Sequence, residues 1–314
     1  MKKNIAFIGQ VSMDEKAAWI TRIQSLLTET TIIEFEALST EQKKEIKVAI
    51  VANPEPTQLA ELPNLVWIQS LWAGVERLLL ELPDTNFSIV RMLDPNLAST
   101  MAEAVVAWSF YLHRDMPKYR QQQTQKIWQQ HDLIELKDRR IGILGLGLLG
   151  KASAKKLLLN GFNVSGWSRN LAKIEGVTCF SGKTGLARIL SQSDILISLL
   201  PLTNETQYLL NEHNISLLPQ GASIINFSRG KVIDEKALLT HLDNDHLNHA
   251  VLDVFNIEPL PVDSALWTSP HITILPHISA PTNIRTASEL VARNLQQYFE
   301  TGTIPAAIVR SQGY

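Results

Sequence analysis

A single cysteine, Cys179, is all the chain contains, which excludes a disulfide framework and a thiolate metal site. Charge is nearly balanced as well. Lys and Arg number 29 against 31 Asp and Glu, and the net charge of −2 gives neither a basic field for nucleic acid nor a polybasic stripe for a membrane surface. No apolar stretch approaches the ~18 residues that span a bilayer. After Met1-Lys2-Lys3 only Ile5 to Ile8 is apolar before Gln10, Ser12, Asp14 and Glu15, too short for a signal-peptide core, so a cytoplasmic protein is expected. Solenoid repeats are also missing. No metal site is expected.

What the chain does have is 314 residues, 45% of them hydrophobic, enough for two domains with separate cores. One stretch organises it: Arg140 to Gly150, RIGILGLGLLG. Ile141 to Leu144 is a short apolar run of the kind that forms a strand buried on both faces. Gly145, Gly147 and Gly150 then supply GxGxxG, and a helix pattern follows at once. The first glycine permits the tight turn, the second lets backbone approach a pyrophosphate, and the third lets helix pack on strand, with free N–H groups at the helix start facing the anion. The strand-then-helix context is what gives this short motif its weight.

Around it the chain alternates. Strand candidates are Asn4–Ile8, Thr31–Phe35, Val48–Val51, Val66–Ser70 and Ser88–Arg91, with a helix over Glu15–Thr28. Met101 to Tyr119 reads as one long helix. Arg120 to Asp132, rich in glutamine, reads as a linker anchored by Trp128. A second series has strands at Ile141–Leu144, Asn163–Trp167, Asp194–Leu199, Ala222–Phe227, Ala250–Val254 and Ile272–Leu275, and a last helix spans Ile284 to Thr301. The pattern predicts an α/β protein of two doubly wound parallel-sheet, flavodoxin/Rossmann-like domains. The terminal helix can return to the first domain, giving a discontinuous substrate domain, 1–100 plus 283–314, and a dinucleotide domain, 101–282.

An acid at the end of the second strand of such a unit holds the ribose 2′-hydroxyl of NAD. Here that strand ends in Trp167-Ser168-Arg169 with no acid. A hydroxyl and a guanidinium suit a 2′-phosphate instead, so NADP is the expected cofactor, with NAD possible.

Taken together, GILGLGLLG, LLPLTNET (Leu199 to Thr206), INFSRG (Ile225 to Gly230), LDVFNIEPLP (Leu252 to Pro261) and PHISAPT (Pro276 to Thr282) resemble the D-isomer-specific 2-hydroxyacid dehydrogenase family. LWAGVERL matches that family's substrate loop less tightly, with Glu76 in place of the usual Asp. FNIEPLP, SALW and WSR are similar to its glyoxylate/hydroxypyruvate reductase branch. Arg229 and His277 each follow a predicted strand, at the carboxyl ends where open α/β sheets bind ligands. A guanidinium there can bind a substrate carboxylate and polarise its carbonyl, and a histidine titrating near neutrality suits a general acid. Glu258, in the loop after Ala250–Val254, would orient the imidazole and raise its pKa.

The resemblance implies more. Catalysis would fall to Arg229, Glu258 and His277 in a cleft between the domains. Backbone at Ala73, Gly74 and Val75 would take the substrate carboxylate. Cofactor contacts would come from Gly145, Gly147, Leu148, Leu149, Gly150, Trp167, Ser168, Arg169, Leu200, Pro201, Thr206, Phe227, Ser228 and Asp253, the last beside the nicotinamide. A homodimer built on cofactor-domain helices is implied too. Because cells keep NADP largely reduced, the expected activity is NADPH-dependent reduction of a small 2-keto acid, glyoxylate or hydroxypyruvate. Two alternatives stay open: a D-2-hydroxyacid dehydrogenase of broader specificity, and a non-catalytic dinucleotide-sensing protein of the same fold. His249, standing where the family commonly has glycine, puts local packing in question.

Overall fold

Short apolar runs separated by amphipathic helices can bury both faces of a strand only in a parallel sheet covered on two sides. That is the arrangement in the computed structural model, which describes residues 3–83 and 85–309. Met1, Lys2, Asp84 and residues 310–314, assigned above to the first domain, lie outside the described residues. In the first sheet, Lys3–Gly9 (β1), Thr30–Glu34 (β2), Val48–Ala52 (β3), Trp67–Ser70 (β4) and Ser88–Val90 (β5) run parallel in the order β2-β1-β3-β4-β5. In the second, Arg140–Leu144 (β6), Asn163–Ser168 (β7), Thr178–Ser181 (β8), Ile195–Ser198 (β9), Ala222–Asn226 (β10), Leu247–Leu252 (β11) and Ile272–Ile274 (β12) run parallel in the order β12-β11-β10-β9-β6-β7-β8. Each sheet reverses direction of growth beside its first strand, at β1 and at β6. Such a switch point is where open α/β sheets take ligands.

The chain divides into two units, with breaks after Asn96 and after Pro281. Residues from both ends of the sequence make the first. Its terminal helix, Ile284–Thr301, buries Ala287, Val291, Ala292 and Leu295 against Trp19, Ile23 and Trp67. Tyr298 meets Trp67 edge to face, ring centroids 5.5 Å apart.

The two switch points start their helices differently. After β1, Ser12 caps the Met13–Gln24 helix, its hydroxyl accepting from the Glu15 N–H at 3.2 Å. After β6, Gly147 stands at the cap of the Leu148–Leu159 helix and has no side chain to offer.

Several elements differ from the sequence pattern. The single helix expected over Met101–Tyr119 is two, Pro95–His113 and Met116–Gln125, broken at Asp115 in the left-handed region (φ 52°), with proline in the first turn of the second. That second helix takes in much of the supposed linker, and Trp128 is no anchor: it is 98% exposed. Strand β8 was not anticipated, being a short edge strand with no fully buried residue. His249 is accommodated: buried on β11, it hydrogen-bonds Thr273 Oγ1 at 2.9 Å. Burial, helped by His271, pushes its pKa down to about 4, so it is neutral.

Candidate active site

Because β6, β9, β10, β11 and β12 are parallel, the residues leaving their carboxyl ends gather along one edge of the second sheet. Gly145, Leu200, Arg229, Asp253 and His277 all follow such ends.

The glycine loop is shaped by close approaches. A Cβ on Gly150 would lie 1.8 Å from Gly145 O, and one on Gly145, at φ +100°, 2.8 Å from Leu199 O, just before Leu200-Pro201. Gly147 is different. A Cβ there meets nothing within 4 Å, so packing does not require glycine at this position. It leaves open backbone at the start of the helix that Leu148 and Leu149 begin, which fits a close-lying dinucleotide pyrophosphate. Gly145 N–H donates to Trp167 O at 2.8 Å, so the end of β7 lies beside the loop. Trp167 Nε1 donates to Gly182 O, and Ser168 Oγ to Asn170 O. Arg169 Nε lies 3.4 Å from Glu205, a partner 36 residues away that no sequence signal reveals.

Arg229 is set by the turn that follows β10. Asn226 Oδ1 accepts from both the N–H and the hydroxyl of Ser228, its Nδ2 donates to Arg229 O, and Ser228 Oγ also pairs with Ser198 at 2.9 Å. Gly230 lets this turn lie on the next one, since a Cβ there would sit 2.0 Å from the Phe255 carbonyl carbon. The half-buried Arg229 donates from Nη1 to Ser228 O.

Glu258 and His277 are hydrogen-bonded, His277 Nδ1 to Glu258 Oε2 at 2.7 Å. The other carboxylate oxygen accepts from the Phe255 N–H. The hydrogen bond to Glu258 raises the His277 pKa; burial opposes it, the Glu258 charge adds to it, the nearby Arg229 charge subtracts, and Asp253 adds. For Glu258, burial pushes upward, but hydrogen bonds from His277 and Phe255 and the charges of His277 and Arg229 hold the carboxyl below its ordinary range. With Nδ1 engaged, Nε2 is the nitrogen left to exchange a proton. His277 sits at φ 53°, a conformation that costs a non-glycine residue on the order of 1 kcal/mol or more. The buried Asp253 secures it, accepting from the Ile278 N–H at 2.7 Å and the Ser279 N–H at 2.9 Å.

Other expected cofactor residues carry structural duties. Both carboxylate oxygens of Asp253 already have backbone donors, so a carboxamide would have to share them. The Thr206 hydroxyl donates to Pro201 O and accepts from the Thr203 N–H, closing its own turn. Phe227 and Ser228 are buried, leaving backbone as what they can present. In the first unit, Ala73, Gly74 and Val75 link β4 to the Glu76–Glu81 helix. Gly74 and Val75 line a small cavity with Asn53 and Trp72. Trp67 belongs to the core, whereas Trp72 lines this cavity. Among the described residues no group of His, Cys, Asp and Glu can hold a metal, and no helix is long and apolar enough to cross a membrane.

Residues 106–279 match the model of the D-isomer specific 2-hydroxyacid dehydrogenase NAD binding domain. The chain is 36% identical to a glyoxylate/hydroxypyruvate reductase A of Yersinia enterocolitica, over 94% of this chain and 95% of the relative. This protein belongs to the D-isomer specific 2-hydroxyacid dehydrogenase family. A family member from Xanthobacter autotrophicus, solved with NADPH and MES, superposes with a TM-score of 0.92 at 32% identity, each chain fully covered. An NADPH-dependent glyoxylate/hydroxypyruvate reductase of Sinorhizobium meliloti, solved with NADP and sulfate, gives 0.90 at 27% identity, again over both whole chains. For a 2-hydroxyacid dehydrogenase, a histidine–carboxylate pair with a guanidinium beside it has a clear chemical use.

Proposed function

We propose that this dehydrogenase reduces small 2-keto acids, glyoxylate and hydroxypyruvate, to the 2-hydroxy acids with NADPH. The observation that carries the reading is the 2.7 Å pair of His277 and Glu258, with Arg229 close enough for its charge to act on both. A reduced nicotinamide dinucleotide, when bound, supplies the hydride that adds to the carbonyl carbon. Arg229 binds the substrate carboxylate and polarises the carbonyl oxygen. His277, protonated, delivers a proton from Nε2 to that oxygen as the alcohol forms, and ends as neutral imidazole. Glu258 stabilises the imidazolium beforehand and fixes the ring. Backbone at Ala73, Gly74 and Val75 helps hold the carboxylate, so that the first unit serves substrate and the second serves dinucleotide.

The residues that would hold the cofactor are the Gly145–Gly150 loop for the pyrophosphate and Ser168 with Arg169 for a 2′-phosphate. The absence of an acid at the end of β7, and the NADP(H) bound to the two similar proteins, support NADP over NAD. A cytoplasmic homodimer is the form the family resemblance implies; sedimentation of the purified protein tests the dimer.

Turnover of a panel of 2-keto acids with NADPH and NADH decides the reading. Reduction of glyoxylate or hydroxypyruvate with NADPH preferred is the expected result, and a preference for NADH would sink the cofactor assignment. His277→Asn should lower kcat about 10²–10⁴-fold while leaving NADPH binding nearly intact.

A further inference from the structure

The small cavity of the first unit places another polar group beside the loop given to the substrate carboxylate. Gly74 and Val75 line it together with Asn53, Trp72, Arg77 and Leu78. Asn53 follows β3 at the carboxyl end of the sheet, in the left-handed region at φ 53°. Asparagine is among the few side-chain-bearing residues that adopt this conformation readily. Its carboxamide has no hydrogen-bond partner among the described residues, and Asn53 is exposed. Two other polar side chains line the cavity: Ser70, whose hydroxyl already donates to Trp72 O and accepts from the Trp72 N–H, and Arg77.

Arg77 is already spoken for. Its Nε lies 2.7 Å from Glu81 and its Nη2 3.6 Å from Glu55, so two carboxylates offset its one charge. A second carboxylate on the substrate would meet net negative charge at this end of the cavity. A neutral group that can hydrogen-bond an amide, of the size of one hydroxymethyl, fits the chemistry better.

We propose that Asn53 is a specificity-determining residue that hydrogen-bonds the hydroxyl on C3 of the 2-keto acid, so that the enzyme favours hydroxypyruvate over substrates lacking that hydroxyl. The proposal rests on the reading that the substrate carboxylate lies at the Ala73–Val75 backbone. A neutral hydrogen bond of this kind contributes roughly 0.5–1.5 kcal/mol, up to about tenfold in kcat/KM.

The test compares hydroxypyruvate, pyruvate and glyoxylate, each with NADPH, in the unmodified enzyme and in Asn53→Gly. Glycine removes the carboxamide and keeps the left-handed turn without strain. Expected is a loss of about two- to tenfold for hydroxypyruvate with pyruvate and glyoxylate nearly unchanged. Asn53→Asp, which retains an oxygen acceptor, should lower all three rates by repelling the substrate carboxylate but keep the preference for hydroxypyruvate over pyruvate. An equal loss on all three substrates in Asn53→Gly, or none on hydroxypyruvate, overturns the assignment while leaving the proposed reaction standing. No turnover of any 2-keto acid by the unmodified enzyme overturns the proposed reaction, and this assignment with it.

Discussion

The two units make the same turn, parallel strand into helix beside a switch point, and finish it in opposite ways. After β1, the Ser12 hydroxyl satisfies a free N–H of its own helix, and Lys16 N–H closes onto Ser12 O. After β6, Gly147 caps with no side chain and points no atom into the space above it. A helix start carries partial positive charge and unpaired donors, and these are met by a capping side chain, by water or by a ligand. The first unit answers from within; the second stays open. Doubly wound topology therefore does not by itself make a dinucleotide site. The residue at the helix cap is where the two turns differ.

The sharpest way to break this comparison is Gly147→Asp. At φ −72° the substitution is unstrained, and no neighbour lies within 4 Å. The carboxylate should cap its helix as Ser12 does, and repel the pyrophosphate. NADPH affinity should drop on the order of a hundredfold, about 2.7 kcal/mol, with Tm unchanged or raised; fluorescence titration and thermal melts report the two effects. Next in size is Arg169→Ala, which leaves the open helix start intact but removes the charge meant for the 2′-phosphate. It should cost NADPH about tenfold or more in kcat/KM, given roughly 1.5–3 kcal/mol for a charge-assisted hydrogen bond, and leave NADH nearly unaffected. Equal losses on both cofactors would sink that assignment.

Glu258→Gln touches the chemistry and neither helix start. The raised His277 pKa keeps the ring protonated to higher pH, so reduction is lost as pH rises through it. Removing the Glu258 carboxylate takes away the largest upward influence, and the alkaline limb of the pH–rate profile should move toward acid, with NADPH affinity constant. An unmoved limb would argue against the pairing. Smallest is Ser12→Ala, which should destabilise the protein by about 1 kcal/mol in denaturant unfolding and change no kinetic constant.

How much of this could be read from sequence follows the same physics. Gly145, Gly147 and Gly150 are legible because only glycine suits positions that hard backbone contacts or an open face require. The Ile284–Thr301 helix is legible because one face repeats at helical spacing over its whole length. The break at Asp115 is hidden, since apolar residues continue at helical spacing up to Met116; Pro117 in a first helical turn is the signal that marks the new start. Strand β8 has no alternation because it is an edge with both faces partly exposed. Arg229, Glu258 and His277 stand out through local motifs. The partners that hold them do not: Asp253 grips a loop 25 residues later, and Ser198 meets Ser228 from 30 residues before. Thr206 and Asp253 carry hydroxyl and carboxylate groups that suit a cofactor, and their occupation by backbone shows only in three dimensions. Asn53 gives its left-handed turn away only once its φ is known.

The return of the last helix to the first core has a consequence for how the chain is born. Residues 97–281 form one uninterrupted stretch, and all seven strands of their sheet are present once β12 has been made. The β1–β5 sheet is synthesised earlier, yet Val291, Leu295 and Tyr298, which cover Trp67 and the neighbouring apolar face, come only after the whole of residues 97–281. The usual vectorial order, N-terminal domain first, is therefore inverted. The half made first waits, part of its core uncovered, until residues 284–301 have been made, and that waiting face is where a nascent-chain chaperone would find its purchase.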